Sequence, residues 1–525
     1  MKKVFILTII LIFHSFFAMG QSWLWGKTEP VKGSTAEFEG MAVATDKNKN
    51  VFLAGELYDT LIAGSNILIS SGQGNSVIMK YDSSGNLLWA KQSSDHSSSG
   101  VVYPYSLATD LSGNCYMTGS TGDSAGFGPY IFPQGDGYFV VKYDKNGNVV
   151  KVISNGAVEG DAMSIDNEGN IYVLGTYSGK IIFGTYTLNP PANNASDYFL
   201  VKYDSNFNVK WVESSICSST GQCYPTGLAV DINKNVFVCG GFTGTAKIGS
   251  FTDTSLGTSA FIAKYDSNGN ALWTNQSQCT PTSAGAYCQG YSVTTDKSGS
   301  VYFTGTFYDT IKFGSHVLAA VDDMTNDVFV VKYNPNGTLQ WSYETTNPSS
   351  SNWVGYSISS DTLNNIYLIA AGYLNTSISP NHTYKVTFNG VTYSTTVATQ
   401  DGASLILELT PNGKVKCGSI IAGGGDDNNA IVSDPSGKYI YVGGDLSNDL
   451  ILGGDTIGDK KYEYSFVARW EPCNDPQSIN EVVENDEVVK VFPNPSTGIF
   501  TFNFSGNNEK ANLIIYNMLG ESICK

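Results

Sequence analysis

An aspartate followed nine residues later by a glycine recurs along this chain as Asp46/Gly55, Asp110/Gly119, Asp166/Gly175, Asp231/Gly240, Asp296/Gly305 and Asp434/Gly443, and a seventh copy pairs Asp361 with Ala370. Between the anchors lie a turn and an alternating strand, as in GNCYMTG (113–119), GNIYVLG (169–175) and GSVYFTG (299–305). A second signature follows each anchor: VIMKYDSSGNLLW (77–89), FVVKYDKNGNVV (139–150), FLVKYDSNFNVKW (199–211), FIAKYDSNGNALW (261–273) and FVVKYNPNGTLQW (329–341), with weaker copies at 405–417 and 466–473. The Asp-to-Asp spacings are 64, 56, 65, 65, 65 and 73 residues. Self-similarity of this kind means one supersecondary unit used repeatedly, so the 525 residues are not three or four unrelated domains.

Each unit reads as four strands. Strand A ends at the Asp, and a tight turn leads to strand B with the aromatic and the Gly. A longer connection leads to strand C with Lys-Tyr-Asp, and a second tight turn leads to strand D with Trp. Period-two alternation and Asp/Asn/Gly punctuation support both hairpins. Four-stranded antiparallel units repeated radially make a β-propeller, each blade burying its faces against its neighbours. The expectation is an all-β, seven-bladed β-propeller over residues 21–473. The last unit lacks a D strand, and Leu24-Trp25-Gly26-Lys27 parallels Leu88-Trp89-Ala90-Lys91. Residues 22–27 are therefore predicted to form the outer strand of the seventh blade, closing the ring and protecting its edges.

The repeats resemble the bacterial β-propeller repeat family, on Asp110-Leu-Ser-Gly-Asn-Cys-Tyr-Met-Thr-Gly119 and Asp166-Asn-Glu-Gly-Asn-Ile-Tyr-Val-Leu-Gly175 above all. The resemblance implies the fold and no common activity.

The ends carry addresses. Lys2 and Lys3 precede an apolar run from Val4 to Phe17, and Ala18-Met19-Gly20 closes it, so residues 1–20 read as a cleavable secretory signal. A membrane anchor needs about 20 apolar residues, and no stretch here supplies them. Residues 474–489 read as an acidic linker. Residues 490–525 open with Pro493, Asn494, Pro495 and Gly498 and continue to Tyr516, Asn517 and Gly520. In that order these segments resemble the type A C-terminal sorting domain of type IX secretion cargo, as a partial β-sandwich. The resemblance implies the secretion machinery as a partner and release or attachment at the cell surface.

Composition excludes some functions. With a formal net charge of −17 and no basic stripe, the chain is unsuited to nucleic acid. The nine cysteines lie after the leader, where disulfides persist. Cys217/Cys223 and Cys279/Cys288 each begin six residues after a Trp and are expected as local pairs, while Cys417, Cys473 and Cys524 cannot be paired from sequence. His96, His316 and His382 have no metal-site spacing, and no nucleophile elbow or P-loop occurs. The Lys-Tyr-Asp-x-x-Gly-x-x-x-Trp run resembles the tryptophan-docking motif of quinoprotein dehydrogenase propellers, which implies a structural role. The strand-ending Asp residues suit backbone capping better than a calcium site, because calcium needs six to eight converging oxygens. No cofactor and no metal is expected, calcium being the alternative. The Lys of Lys-Tyr-Asp is expected to pair with a carboxylate within its blade.

Function is expected on the face carrying the longer D–A and B–C loops. Tyr105, Tyr291 and Tyr356 lie five residues before their Asp and should approach the channel mouth, with Trp353 near. The sixth unit is read as inserting a hairpin, 384–393, around Asn389-Gly390. Aromatic platforms beside Asn and Asp suit sugar or peptide ligands. The expected function is a non-enzymatic, monomeric binding or adhesion module for an extracellular glycan or protein. The alternative is a carbohydrate-active hydrolase or lyase using a loop carboxylate such as Asp161.

Overall fold

The computed structural model describes residues 23–472 except 71–73, 96–100, 123–124, 133–136, 157, 190–195, 219–220, 280–286, 321–324, 348–350, 375–381, 398–401, 423–428, 435, 447–449, 453–454 and 458–463, together with the backbone at 489–492, 501–504, 515–516 and 522–524. The leader, residues 1–20, and most of the linker lie outside the described residues, as do Pro493, Asn494, Pro495, Gly498, Asn517 and Gly520. No helix in the described residues is long and apolar enough to cross a membrane.

Residues Gln21–Pro472 form one compact unit. Seven four-stranded antiparallel meanders occur among its described residues, and the fold is a β-propeller. Blade 2 shows the pattern: Val102–Thr109, Cys115–Thr121, Gly137–Tyr143 and Val149–Gly156 pair in order from inside outward. The last blade is completed by Trp23–Thr28, which pairs with Tyr464–Trp470 in a register that sets Gly26 opposite Ala468 and Thr28 opposite Phe466. The expected outer strand is therefore in place, one residue offset from 22–27.

The inner strands meet in chain order, and the first meets the last. Hydroxyls stitch them together: Thr109 Oγ1 donates to Thr45 O (2.6 Å), Ser360 Oγ to Thr295 O (2.7 Å), Ser433 Oγ to Ser360 O (2.7 Å) and Thr45 Oγ1 to Ser433 O (3.2 Å). Strands B and C carry apolar residues on both faces because each blade face is covered by a neighbour; Val51–Leu57 and Asn75–Tyr81 are buried throughout. Each fully buried Val, Leu, Ile or Phe there contributes about 1.5–3 kcal/mol.

The seven strand-ending carboxylates serve their own turns. Asp46 Oδ1 accepts from the backbone N–H of Asn48 (2.8 Å) and Asn50 (3.0 Å), and its Oδ2 from Asn50 Nδ2 (2.7 Å). The same arrangement recurs at Asp110, Asp166, Asp231 and Asp361, and backbone capping recurs at Asp296 and Asp434. The lysines pair as expected in three blades: Lys80–Asp46 at 3.1 Å, Lys142–Asp110 at 3.6 Å and Lys332–Asp296 at 4.0 Å. In the sixth blade Glu408 takes the lysine's place and binds Lys416 at 2.6 Å.

Blade junctions use the Trp of strand D. Trp25, Trp89, Trp211, Trp273 and Trp341 each donate Nε1–H to a carbonyl in the C–D turn of the following blade, at 3.1, 3.1, 3.0, 3.2 and 3.1 Å. The turn glycine beneath each indole has positive φ and no room for a Cβ: at Gly337 (φ 80°) it would lie 2.8 Å from Trp273. Trp25 on the Ser83–Gly85 turn is the dock between the last blade and the first.

The hairpin of the sixth blade is not an insertion peculiar to it. The B–C connection of all seven blades carries a two-stranded hairpin, for example Ala125–Phe127 with Tyr130–Ile131 and Ile181–Phe183 with Tyr186–Leu188. His382–Phe388 with Val391–Val397 belongs to the same series. A glycine of φ near 57–59° starts the turn at Gly64, Gly128, Gly184, Gly249 and Gly314, and Asn389 (φ 44°) and Gly390 (φ 80°) take that place in the sixth.

Cys217 and Cys223 form the expected disulfide. The side chain of Cys279 lies outside the described residues, and so does its expected pairing with Cys288. Cys417 is disulfide-bonded; Cys473 lies outside the described residues, as does the side chain of Cys524. In the tail, Val489–Phe492 pairs with Thr501–Phe504 and Ile515–Tyr516 with Ser522–Cys524, both antiparallel.

Candidate binding site

A bulge interrupts the inner strand at the same place in blade after blade. Pairing with strand B skips a residue between Gly40 and Ala42, Pro104 and Ser106, Gly160 and Ala162, Pro225 and Gly227, and Gly290 and Ser292, and again between Val354 and Ser357. A bulge re-aims a side chain and bends its strand. The residues set out in this way are Met41, Tyr105, Asp161, Thr226, Tyr291 and Tyr356, and all line one cavity of about 290 Å³ with Asn429 of the seventh blade. Every inner strand contributes to this cavity, so it lies on the propeller axis.

Close packing explains the small residue that precedes the bulge. A Cβ on Gly160 would lie 2.5 Å from Thr118 Oγ1, one on Gly355 2.6 Å from Thr304 Oγ1, and one on Gly40 2.7 Å from the Gly444 carbonyl. Each faces the neighbouring blade. Further along the strands Val43, Leu107, Met163, Leu228 and Val293 supply an apolar layer of the wall.

Three of the four aromatic candidates meet here. Tyr291 and Tyr356 pack edge to face with centroids 5.6 Å apart, and Tyr105 stacks on Tyr103 at 6.0 Å and 1°. Ser120 Oγ donates to Tyr105 Oη at 3.4 Å, and burial, with the charges of Glu159 and Asp161, pushes the phenol up to about 12. Trp353 is a correction. It is fully buried, packs edge-on against Tyr384 at 6.1 Å, and donates Nε1–H to Ser351 Oγ at 3.3 Å. Its place in the sequence put it near the mouth, but strand alternation turns it into the core, where it supports the blade and offers no platform.

Asp161 is the carboxyl on the axis. Thr176 Oγ1 donates to its Oδ2 at 3.4 Å. Burial, and then the charge of Glu159, hold the carboxyl well above the usual range. Met41, Thr226 and Asn429 occupy the same offset, five residues before the Asp, and the offset itself was their signal; reading only its aromatics left them out.

Glu56 was missed altogether. It follows the anchor Gly55, where the other units carry Ser120, Thr176, Gly241, Thr306, Ala371 and Gly444. It is 2% exposed and accepts a hydrogen bond from Tyr58 Oη at 2.7 Å. Burial pushes its carboxyl up to about 7, and Glu39 and Glu37 add to the effect. Among the described residues, one group has metal-ligating atoms close enough together, Asp197 with Cys217 and Cys223, and those two sulfurs are bonded to each other.

Residues 490–525 match the secretion system C-terminal sorting domain. That tail marks the chain for export by type IX secretion to the cell surface or extracellular space, and the body that it exports is a propeller. In sequence, the chain is 24% identical over 435 residues to an uncharacterized WD repeat-containing protein, L264, of Acanthamoeba polyphaga mimivirus; the match covers 65% of the chain and 30% of that relative. In structure it is similar to the Dos1 propeller (10% identity, 86% and 95% of the two chains, TM-score 0.39). It is likewise similar to a PL25 ulvan lyase (10% identity, 83% and 97%, TM-score 0.37) and to the quinohemoprotein alcohol dehydrogenase of Comamonas testosteroni (11% identity, 86% and 76%, TM-score 0.35).

Proposed function

We propose that this chain is a binding module for an extracellular glycan or protein, held at the axial cavity by Tyr105, Tyr291 and Tyr356. The observation that carries the reading is the ring of bulges, which delivers six side chains, three of them tyrosines, to one cavity of about 290 Å³. Tyrosine supplies large, rigid contact area with a polar tip, and Thr226, Asn429 and Asp161 supply hydrogen bonds at its edges. Residues 1–20 serve as the leader that takes the chain to the periplasm.

One observation favours the enzymatic alternative. Burial, and then the charge of Glu159 two residues before it, raise the hold of the Asp161 carboxyl on its proton, the property a general acid needs.

Both readings are tested with full-length protein on a polysaccharide and glycopeptide panel, with retention and released reducing ends read from the same wells. Retention without product, lost in Tyr291→Ala and Tyr356→Ala, is the expected result. Product that disappears in Asp161→Asn overturns the binding-only reading.

A further inference from the structure

A second cavity, of about 540 Å³, lies in the seam between blades 2 and 3, on the face that carries the D–A and B–C loops. Its walls bring Tyr103, Ser120 and Thr121 from blade 2 against Glu159, Thr176 and Ser178 from blade 3, with Tyr177 behind them. It adjoins the axial site through shared strands. Tyr103 lines the seam and its stacking partner Tyr105 lines the axis, and Glu159 lines the seam while Asp161 lines the axis. Thr176 belongs to the seam wall and donates to Asp161.

Among the described residues, neither lining includes a lysine or arginine. Hydroxyls and tyrosines predominate, with Glu159 as the one carboxyl among the described residues of the seam. An anionic ligand entering there would set its charge against the exposed Glu159 carboxylate, with no cation in the described lining to pair it. A sugar ring, by contrast, can lay its C–H face on Tyr103 and exchange hydrogen bonds with the serine and threonine hydroxyls.

We propose that the seam is a second subsite of the axial site, taking the continuing segment of a glycan chain that is hydroxyl-rich and carries no acidic groups. An amino sugar is favoured over a neutral one, because Glu159 supplies the counter-charge. This rests on reading the axial cavity as a glycan site.

The test measures affinity by calorimetry for three hexasaccharides: a chitosan oligomer (amine), a chitin oligomer (neutral) and an alginate oligomer (uronate). The full-length protein is compared with Tyr103→Ala, Tyr103→Phe, Glu159→Gln and Tyr291→Ala. The chitosan oligomer should bind tightest and the alginate oligomer weakest. Tyr103→Ala should weaken binding about tenfold, Tyr103→Phe by less than about threefold, and Glu159→Gln should remove the preference for amine over neutral. Tyr103 is only half-buried, so its loss should not unfold the blade. Loss of binding in Tyr291→Ala with none in Tyr103→Ala overturns the seam and leaves the axial site standing. Preference for the alginate oligomer overturns the proposed ligand class. Binding that neither variant changes, or no binding of any oligomer, overturns the seam and, as a glycan site, the axial cavity too.

Discussion

Two kinds of junction hold this propeller together. At five of them, an indole docks on the next blade's C–D turn, and the end of one blade's outer strand, or the chain beyond it, bridges to the next blade's B–C hairpin. Ser94–Asp95 pairs with Ala125–Gly126, Ser215–Cys217 with Ala246–Ile248, Gln278–Cys279 with Ile311–Lys312, Thr345–Thr346 with Thr387–Phe388, and Val31–Lys32 with Thr60–Leu61. Neither occurs among the described residues at the junction of blades 6 and 7, where Cys417 takes the place of the indole, nor at the junction of blades 2 and 3. Lys151 stands where the indole should be, donating to Asn206 O (2.6 Å) and lying 5.1 Å over the Phe207 ring. In place of the strand bridge, Asn155 Nδ2 donates to Ile182 O (2.6 Å). This is the seam that opens into the 540 Å³ cavity. A docked junction has a cavity of its own, about 380 Å³ between blades 4 and 5, so what sets the junction of blades 2 and 3 apart is how its blades are tied, by a lysine and an asparagine.

The largest test of that contrast removes one contact of each kind. Trp273→Ala should destabilise the propeller by about 3 kcal/mol, the lower part of the range for truncating a large aromatic, because its edge is partly exposed. Lys151→Ala should cost about 0.5–1 kcal/mol, the worth of an exposed cation–π contact. Both are read from urea unfolding. Equal losses would mean that the two junctions do not differ energetically.

A docked junction can also carry a cost. At the junction of blades 1 and 2, burial and then the charge of the nearby Glu56 carboxyl push the Tyr103 phenol up. The Glu56 carboxyl is itself buried, and its folded value, about 7, lies above the ordinary 4.5, so the folded state binds the extra proton. Stability is therefore full below about pH 4.5, falls as pH rises toward 7, and stays reduced above it. Glu56→Gln should stabilise the protein at pH 8 by at most about 3 kcal/mol and should change little at pH 4. A gain of the same size at both pH values would show that the carboxylate is not the source of the cost.

Legibility followed periodicity. The Asp-to-Gly anchor and the Lys-Tyr-Asp run repeat closely enough to give strands, turns and ring closure from residues alone. A third signature, a hydrophobic residue followed by Gly as in Phe127-Gly128, Phe183-Gly184 and Phe313-Gly314, marks every B–C hairpin but the sixth, where Phe388-Asn389-Gly390 puts an Asn between. It went unread because the stretches around it vary in length, and only the Asn-Gly copy stood out. The site was legible as an offset, five residues before each Asp, but the bulge that makes the offset matter comes from blade-to-blade packing at Gly40, Gly160 and Gly355, which no single unit displays. Trp353 failed for the complementary reason: adjacency in sequence says nothing of the face onto which a strand turns its side chain.

The sharpest test rebuilds the irregular junction. Phe207 takes φ 68°, a conformation costing a non-glycine residue about 1–2 kcal/mol, and its ring stacks on Tyr116 at 6.2 Å. Regular turns place glycine there because a Cβ at Gly269 or Gly337 would lie 3.1 or 2.8 Å from the indole. Lys151→Trp alone should therefore drive an indole into Phe207 and cost about 1–3 kcal/mol by overpacking. Phe207→Gly alone should lose a buried ring and gain back only the backbone strain. Together they recreate the pair used at the other docks, so the double variant should be more stable than the sum of the single effects by about 1 kcal/mol or more. Strict additivity in urea unfolding would show that Lys151 and Phe207 do not form one dock, and the two kinds of junction would then differ only in the strand bridge.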